Sequence, residues 1–192
     1  MSGGRKTVGS DIMPIESEDL NIIFDRINNW INNCDTKSSI VLSFVGIILG
    51  IIFTTEYITK LLEIYKKIYL STNLVNLLFL LFSIGSIICI IKGIIHLILC
   101  IRAKTDIDNE YGLITDSLIY YKTIAANSNY KEYEEKMNKL NQDTLKKEII
   151  SQIYINSEIC TKKFKNYNIG LKYSIIGISM FLILIIVGYL AY

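Results

Sequence analysis

Two apolar stretches decide the fold: SIVLSFVGIILGIIFT at residues 39–54 and LVNLLFLLFSIGSIICIIKGIIHLILCI at residues 74–101. Crossing a bilayer core about 30 Å thick takes roughly 20 apolar residues of helix. The second stretch meets that length, and the first meets it if its helix continues to Ile58 past Glu56. A third apolar stretch, residues 174–192, is also long enough. We therefore predict three transmembrane helices.

The composition indicates a small integral membrane protein. The chain has 192 residues, 51% of them hydrophobic, and a net charge of +2. Acidic and basic residues are mixed along the polar segments, whereas a nucleic acid polymer is usually met by clustered Lys and Arg, so we expect no nucleic acid partner. The fold class predicted is an all-α membrane protein with an N-terminal amphipathic helix, three transmembrane helices and a small helical cytoplasmic domain between the second and third spans. The segments are 1–16, a disordered tail; 17–38, the amphipathic helix; 39–101, a transmembrane hairpin; 102–173, the cytoplasmic domain; and 174–192, the third span.

Positive charges near the spans set the predicted orientation. Lys and Arg are in the majority on the side that holds the N-terminus and residues 102–173, although Lys60, Lys66 and Lys67 make the opposite loop basic too. Cytoplasmic flanks carry the excess of Lys and Arg. The sequence therefore places the N-terminus and residues 102–173 in the cytoplasm, with the C-terminus outside.

Helical spacing of apolar residues continues outside the spans. It predicts helices that begin at Ser17, at Asn127 or Ser128, and at Asp143 or Thr144, since such residues cap helix N-termini. The last of these helices has no strong stop before residue 174, because a helical glycine such as Gly170 costs only about 1 kcal/mol. We expect it to continue into the third span.

Few residues suit catalysis or metal binding. The four cysteines have no ligand spacing and are read as small buried packing residues, and the chain has neither a Gly-rich phosphate loop nor a His beside a nucleophile. We predict no enzymatic activity, no metal site and no cofactor. The only histidine, His96, shares a helix face with Lys92 in the second apolar stretch. Both residues lie either at the headgroup level, where Lys92 snorkels, or in a polar cavity or pore.

A polar stripe runs along the last predicted helix. Its members, Glu148, Gln152, Asn156 and Lys163, share one face at helical spacing. Gln and Asn carry paired donors and acceptors that suit a nucleobase edge, and Lys is a point charge that suits a phosphate. Two other interpretations stay open: a solvated face, or a set of hydrogen bonds between helices near the membrane.

Small residues recur at every fourth position in the first two spans. They are Gly46 and Gly50 in the first span, and Gly85, Cys89 and Gly93 in the second. Small side chains let helix backbones approach closely in lipid. We predict Gly46, Gly50, Gly85 and Gly93 as packing residues, either within one chain or between chains of a homo-oligomer.

Four groups of residues along the chain form a recognisable set of motifs. They are Trp30 with Asp35 and Lys37 before the first span; residues 117–121, Ser-Leu-Ile-Tyr-Tyr; Tyr133; and residues 152–157, Gln-Ile-Tyr-Ile-Asn-Ser, with Lys162, Lys163 and Phe164 before the last span. Together these motifs resemble the Pycsar effector transmembrane family. The resemblance covers most of the chain from about Leu20.

The resemblance implies a bacterial anti-phage effector of the inner membrane. A partner cyclase makes cyclic CMP or cyclic UMP, and the effector responds by impairing membrane integrity. Joined to the polar stripe, it makes Gln152, Asn156, Lys163, Tyr120 and Tyr121 the predicted ligand-binding residues. Two other function classes stay open: a constitutive channel or transporter lined by Lys92 and His96, and a structural membrane adaptor that recruits a protein partner.

Overall fold

The computed structural model describes residues 16–71, 73–102, 114 and 116–191, apart from the side chain of Thr55. Those residues contain no strand and form six helices: α1 (Ser17–Ile52), α2 (Thr55–Leu70), α3 (Leu74–Ile101), α4 (Tyr121–Ala125), α5 (Tyr130–Met137) and α6 (Gln142–Ala191). Helices α1, α3 and α6 are each long and apolar enough to cross a membrane. This confirms the predicted all-α fold with three membrane-spanning helices. The predicted tail lies outside the described residues except for Glu16, as do residues 103–113 of the cytoplasmic domain.

The chain divides into two compact units. Unit 1 comprises the described residues of Met1–Arg26 and Asp108–Tyr154, and unit 2 comprises those of Ile27–Ile107 and Ile155–Tyr192. Because α1 and α6 are continuous helices, each contributes residues to both units. The continuity of α6 agrees with the absence of a strong stop before residue 174.

Helix α1 joins the predicted amphipathic helix and the first span without a break. The Ser and Thr residues at the junction are compatible with a helix because their hydroxyls bond back to the preceding turn. Thr36 donates to the carbonyl of Asn32, and Ser39 donates to that of Asp35, both at 2.9 Å. The buried side chains of α1 recur on one face: Leu20, Ile27, Cys34, Ser38, Val45 and Ile52.

The first span ends earlier than the sequence predicts. Helix α1 stops at Ile52, and Thr54 takes an extended conformation before α2 begins at Thr55. The expected continuation to Ile58 is therefore wrong, although the helical spacing predicted for the following loop is present as α2. The Thr54 hydroxyl donates to the carbonyl of Ile51 at 3.0 Å and satisfies one of the last carbonyls of α1.

Helices α3 and α6 pack closely in unit 2. The buried residues of α3 recur at intervals of three, four or seven positions, the pattern of helices that pack along a continuous seam: Asn76, Ser83, Ser86, Ile90, Gly93, Leu97 and Cys100. A Cβ atom on Gly177 would lie 2.7 Å from the backbone nitrogen of Ile90, and one on Gly93 would lie 2.7 Å from the nitrogen of Ser174. Only glycine permits this approach.

In unit 1, two short helices, α4 and α5, precede the start of α6. Asn129 caps α5, since its side chain accepts from the backbone N–H of Glu132 at 3.0 Å. Asn141 accepts from the N–H of Thr144 at 2.8 Å at the start of α6. The helices predicted there are present, but their N-termini are set by these asparagines rather than by the residues expected.

Candidate functional site

The Glu148 carboxylate organises the segment before α4. It is 3% exposed, and its Oε2 accepts from the Ser117 hydroxyl at 3.1 Å and from the Leu118 N–H at 2.8 Å. The Tyr133 hydroxyl, on α5, donates to the Leu118 carbonyl at 3.1 Å. A buried carboxylate is stable only when it is hydrogen-bonded. Glu148 and Tyr133 thus hold both backbone polar groups of Leu118.

Gln152 lies one helical turn after Glu148 on the same face of α6. It is 4% exposed, and its Nε2 has no hydrogen-bond partner among the described residues. Leaving a buried donor unpaired costs about 1–3 kcal/mol. Its neighbour Ser151 is also buried and accepts from the Ile114 N–H at 3.2 Å. Gln152 is therefore a buried amide whose donor is unpaired within the described part of the chain.

The predicted aromatic pair also lies in unit 1. The rings of Tyr120 and Tyr121 meet edge to face, with centroids 4.8 Å apart. Tyr120 is half-buried, whereas Tyr121 is 63% exposed at the start of α4. Tyr121 thus presents a solvent-facing aromatic ring in the unit that holds Gln152.

The other two predicted ligand-binding residues lie in unit 2 and already have partners. Asn156 donates from Nδ2 to the Asn28 Oδ1 on α1 at 2.8 Å. Lys163 is 5% exposed, and its Nζ donates to the Asp35 Oδ1 at 2.6 Å and to the Cys100 carbonyl at 2.7 Å. Both residues make the hydrogen bonds between helices that the sequence left open as one interpretation of the stripe.

The polar stripe is therefore not a solvated face, because three of its four members are at most 5% exposed. Polar side chains of membrane proteins face the protein interior rather than lipid. The stripe divides between the two units at Tyr154, with Glu148 and Gln152 in unit 1 and Asn156 and Lys163 in unit 2.

The predicted packing glycines behave in two ways. Gly93 contacts Ser174, and a Cβ on Gly85 would meet the Met180 Cε at an ordinary 3.5 Å. Gly46 and Gly50 are exposed, and no neighbouring atom of the described chain lies within 4 Å of the position of a Cβ at either residue. The α3 glycines pack within the chain, whereas the α1 glycines form an open face.

Comparison with known proteins settles the family. The sequence matches the Pycsar effector protein domain over residues 19–191. It is also 36% identical over 170 residues to the Pycsar effector protein GmPycTM of Gulbenkiania mobilis, covering 83% of this chain and 86% of that one. The chain belongs to the Pycsar effector family. No solved structure matches it.

Membership confirms the resemblance read from the motifs. Pycsar effectors belong to cyclase–effector systems of antiviral defence, and the three apolar helices make this effector a membrane protein. An apolar cavity of about 180 Å³ lies in unit 2. The lining is aliphatic and tyrosyl: Ile51, Ile52, Tyr57, Leu61, Leu182, Ile185 and Tyr189. Such a lining offers no charged group to a phosphate.

Lys92 and His96, which the sequence places either at the headgroup level or in a polar cavity, both contact α6. The Lys92 ammonium lies 4.0 Å from the ring centroid of Tyr173, and the His96 Nδ1 lies 3.0 Å from the Asn166 Oδ1. Lys92 is exposed on the helix surface and His96 is half-buried. The structure therefore gives each a partner on a neighbouring helix.

Sequence reasoning missed the residues around Lys163. From the sequence, Asp35 is identified only as part of the motif with Trp30 and Lys37 before the first span. Cys34, Ser38 and Cys100 are fully buried, with the two sulfur atoms 3.4 Å apart. The only signal in the sequence was a carboxylate beside small residues at the start of an apolar helix.

Proposed function

We propose that this effector binds a cyclic pyrimidine mononucleotide, cyclic CMP or cyclic UMP, made by a partner cyclase, and responds by impairing the bacterial inner membrane. Family membership supports the response and the partner. The observation that carries the ligand site is the buried Gln152 amide, whose donor has no partner in the described part of the chain. Unit 1 is the proposed sensor.

The proposed contacts follow from the chemistry of a pyrimidine. Cytosine and uracil both carry an exocyclic carbonyl oxygen at position 2, which accepts a hydrogen bond from an amide donor. Pairing it with the Gln152 Nε2 recovers the cost of the unpaired donor. The exposed Tyr121 ring supplies a stacking surface, worth about 1–3 kcal/mol per base, with Tyr120 beside it.

We assign Asn156 and Lys163 to helix contacts rather than to the ligand, because their side chains are already bonded to Asn28, Asp35 and Cys100. The proposed sensor thus consists of Gln152, Tyr120 and Tyr121.

The membrane response requires two conformations of the spans. A ligand shifts such an equilibrium only if it binds one conformation more tightly than the other. Helix α6 contains Gln152 and continues to Ala191, so a rotation or shift of this helix caused by the ligand extends into its apolar half. We further propose that the open face of Gly46 and Gly50 packs against a second copy of the chain, which gives a homo-oligomer.

The proposed topology places the N-terminus and residues 102–173 in the cytoplasm, where a cytoplasmic cyclase delivers the nucleotide. It rests on the majority of Lys and Arg on that side. Cysteine labelling from outside intact cells tests it. Asn129→Cys should stay unlabelled and Tyr192→Cys should react; the reverse pattern would contradict the topology.

The decisive experiment is a dye-release assay with the purified protein in liposomes. Gln152→Ala should weaken the response to cyclic CMP or cyclic UMP about tenfold, the equivalent of one hydrogen bond of roughly 1.4 kcal/mol. Gln142→Ala, at the exposed start of the same helix, is the matched control and should respond like the wild type. Membrane insertion of both variants is verified by detergent extraction.

Three results would contradict the proposal. An unchanged response of Gln152→Ala would remove Gln152 from the site. Release by the wild type without any nucleotide would favour a constitutive channel. The absence of release under all conditions would favour an adaptor that recruits a protein partner.

A further inference from the structure

Lys163 joins all three membrane-spanning helices at one point. Its ammonium lies on α6 and bonds to the Asp35 carboxylate of α1 and to the backbone carbonyl of Cys100 in α3. The Lys163 side chain is 7% exposed and that of Asp35 is 32% exposed. We propose that this three-way contact is a latch that holds the closed arrangement of α1, α3 and α6, and that activation requires it to open.

The contact with α3 is made at a helix end. Cys100 is the penultimate residue of α3, so its carbonyl is one of the last four that lack a partner within the helix. These carbonyls also carry the negative end of the helix dipole, which favours a cation. Lys163 therefore satisfies both a carboxylate and a helix terminus, and among the described residues Asp35 is its only ion-pair partner.

A sealed cluster of small side chains surrounds the latch. The Ser38 hydroxyl donates to the Cys100 sulfur at 3.0 Å, and the Cys34 sulfur lies 3.4 Å from the same atom. All three side chains are 0% exposed. Since Cys34 and Ser38 flank Asp35 on α1, any separation of α1 from α3 at this level uncovers the two thiols.

The energetics of a buried ion pair suit a switch. An intact buried pair contributes little net stability, because desolvation offsets its attraction. Removing Asp35 leaves the buried Lys163 charge uncompensated, which is strongly destabilising. Removing Lys163 instead leaves the half-buried Asp35 carboxylate and the Cys100 carbonyl without their shared cation. Loss of Asp35 therefore raises the free energy of the closed state. It has little effect on an open state in which water solvates the Lys163 ammonium.

Breaking the latch should open the effector without nucleotide. This inference rests on the proposed function, because opening is detected as leakage. Asp35→Asn and Lys163→Met should each raise dye release in the absence of nucleotide at least tenfold. The matched control is Lys162→Met, since Lys162 is 47% exposed and lies 3.9 Å from Glu158; it should behave like the wild type. Lys163→Arg, which keeps a cation and donors for both Asp35 and the Cys100 carbonyl, should release less dye than Lys163→Met.

A second measurement does not depend on leakage or on any nucleotide. In a protein with Cys89→Ser and Cys160→Ser, only Cys34 and Cys100 remain to react with N-ethylmaleimide. Both latch variants should label faster than their parent, and Lys163→Arg, which keeps the cation and its donors, should label more slowly than Lys163→Met. Asp35→Asn and Lys163→Met change the local charge in opposite directions, so a purely electrostatic effect on the thiols would have opposite signs. Only opening accelerates both.

The two measurements separate failure of the latch from failure of the proposed function. Faster labelling in both variants supports the latch even if no liposome leaks, a result that would count against the proposed function alone. Slow labelling in correctly inserted single variants, equal to that of the parent, would overturn the latch whatever the leakage.

Discussion

The seam between α3 and α6 makes a sharp stability prediction for Gly177→Ala. A Cβ at this position would lie 2.7 Å from both the backbone nitrogen and the Cγ1 of Ile90, and 3.0 Å from the carbonyl oxygen of Ser86. Nonbonded heavy atoms prefer about 3.5–4.0 Å, so the two helices must separate by roughly 1 Å. A gap of that size forfeits a quarter to a half of each contact along the seam.

The magnitude is best measured against Gly85→Ala. That substitution lies in the same seam, where its Cβ would meet the flexible Met180 side chain at an ordinary 3.5 Å. Both variants gain the same helix propensity, about 1 kcal/mol for Gly to Ala, and this term cancels in the comparison. The remaining difference is the overpacking penalty of about 1–3 kcal/mol.

Thermal unfolding in detergent, followed by circular dichroism, measures this difference. For a chain of this size about 1 kcal/mol shifts Tm by roughly 2–4 °C, so Gly177→Ala should melt about 2–12 °C below Gly85→Ala. Equal melting temperatures would mean that the seam yields without cost and would refute the reasoning from backbone approach.

Three further predictions concern single interactions. Glu148→Gln weakens the charge-assisted hydrogen bonds to Ser117 and Leu118, so hydrogen exchange of the Leu118 amide should accelerate. Exchange as slow as in the wild type would mean that the Glu148 carboxylate does not hold the segment before α4. The Lys136 ammonium and the Ser128 N–H lower the pKa of Glu132 from 4.5 to about 2. The ionised carboxylate therefore stabilises α5 above about pH 4.5, and this contribution is lost as the pH falls towards 2. Carboxyl NMR should show Glu132 titrating near pH 2, and Lys136→Met should raise its pKa. Gly46→Leu should not lower the melting temperature of the monomer, because no neighbouring atom among the described residues lies within 4 Å of a Cβ there. It should reduce chemical cross-linking between copies, and undiminished cross-linking would exclude this face from the oligomer interface.

The sequence predicted the spans because a bilayer imposes one length and one chemistry on any helix that crosses it. It failed at the end of the first span, where Phe53, Thr54 and Thr55 carry neither a glycine nor a proline to mark the break between α1 and α2. It also misplaced the caps of α5 and α6, because several neighbouring Asn, Ser, Asp and Thr residues have similar capping strength.

The candidate site was predicted only in part. Periodicity correctly placed Gln152 and Lys163 on one face of a helix, but periodicity does not say which way a polar face points, and here it points inward. The contact of Lys163 with Asp35 spans 128 residues of sequence and joins two helices whose pairing no local pattern encodes. Burial and pairing of this kind emerge only when the helices are assembled.

The hydroxyls of α3 have a consequence for biogenesis. Chains are made from the N-terminus at about 5–20 residues per second, so α3 is complete about 5–20 s before the end of α6 leaves the ribosome. During that delay the future seam has only lipid beside it. Ser83 already donates to the Phe79 carbonyl and Ser86 to the Ser83 carbonyl, both at 2.8 Å within α3 itself. These two hydroxyls are therefore hydrogen-bonded within α3 even before α6 enters the bilayer and packs against it.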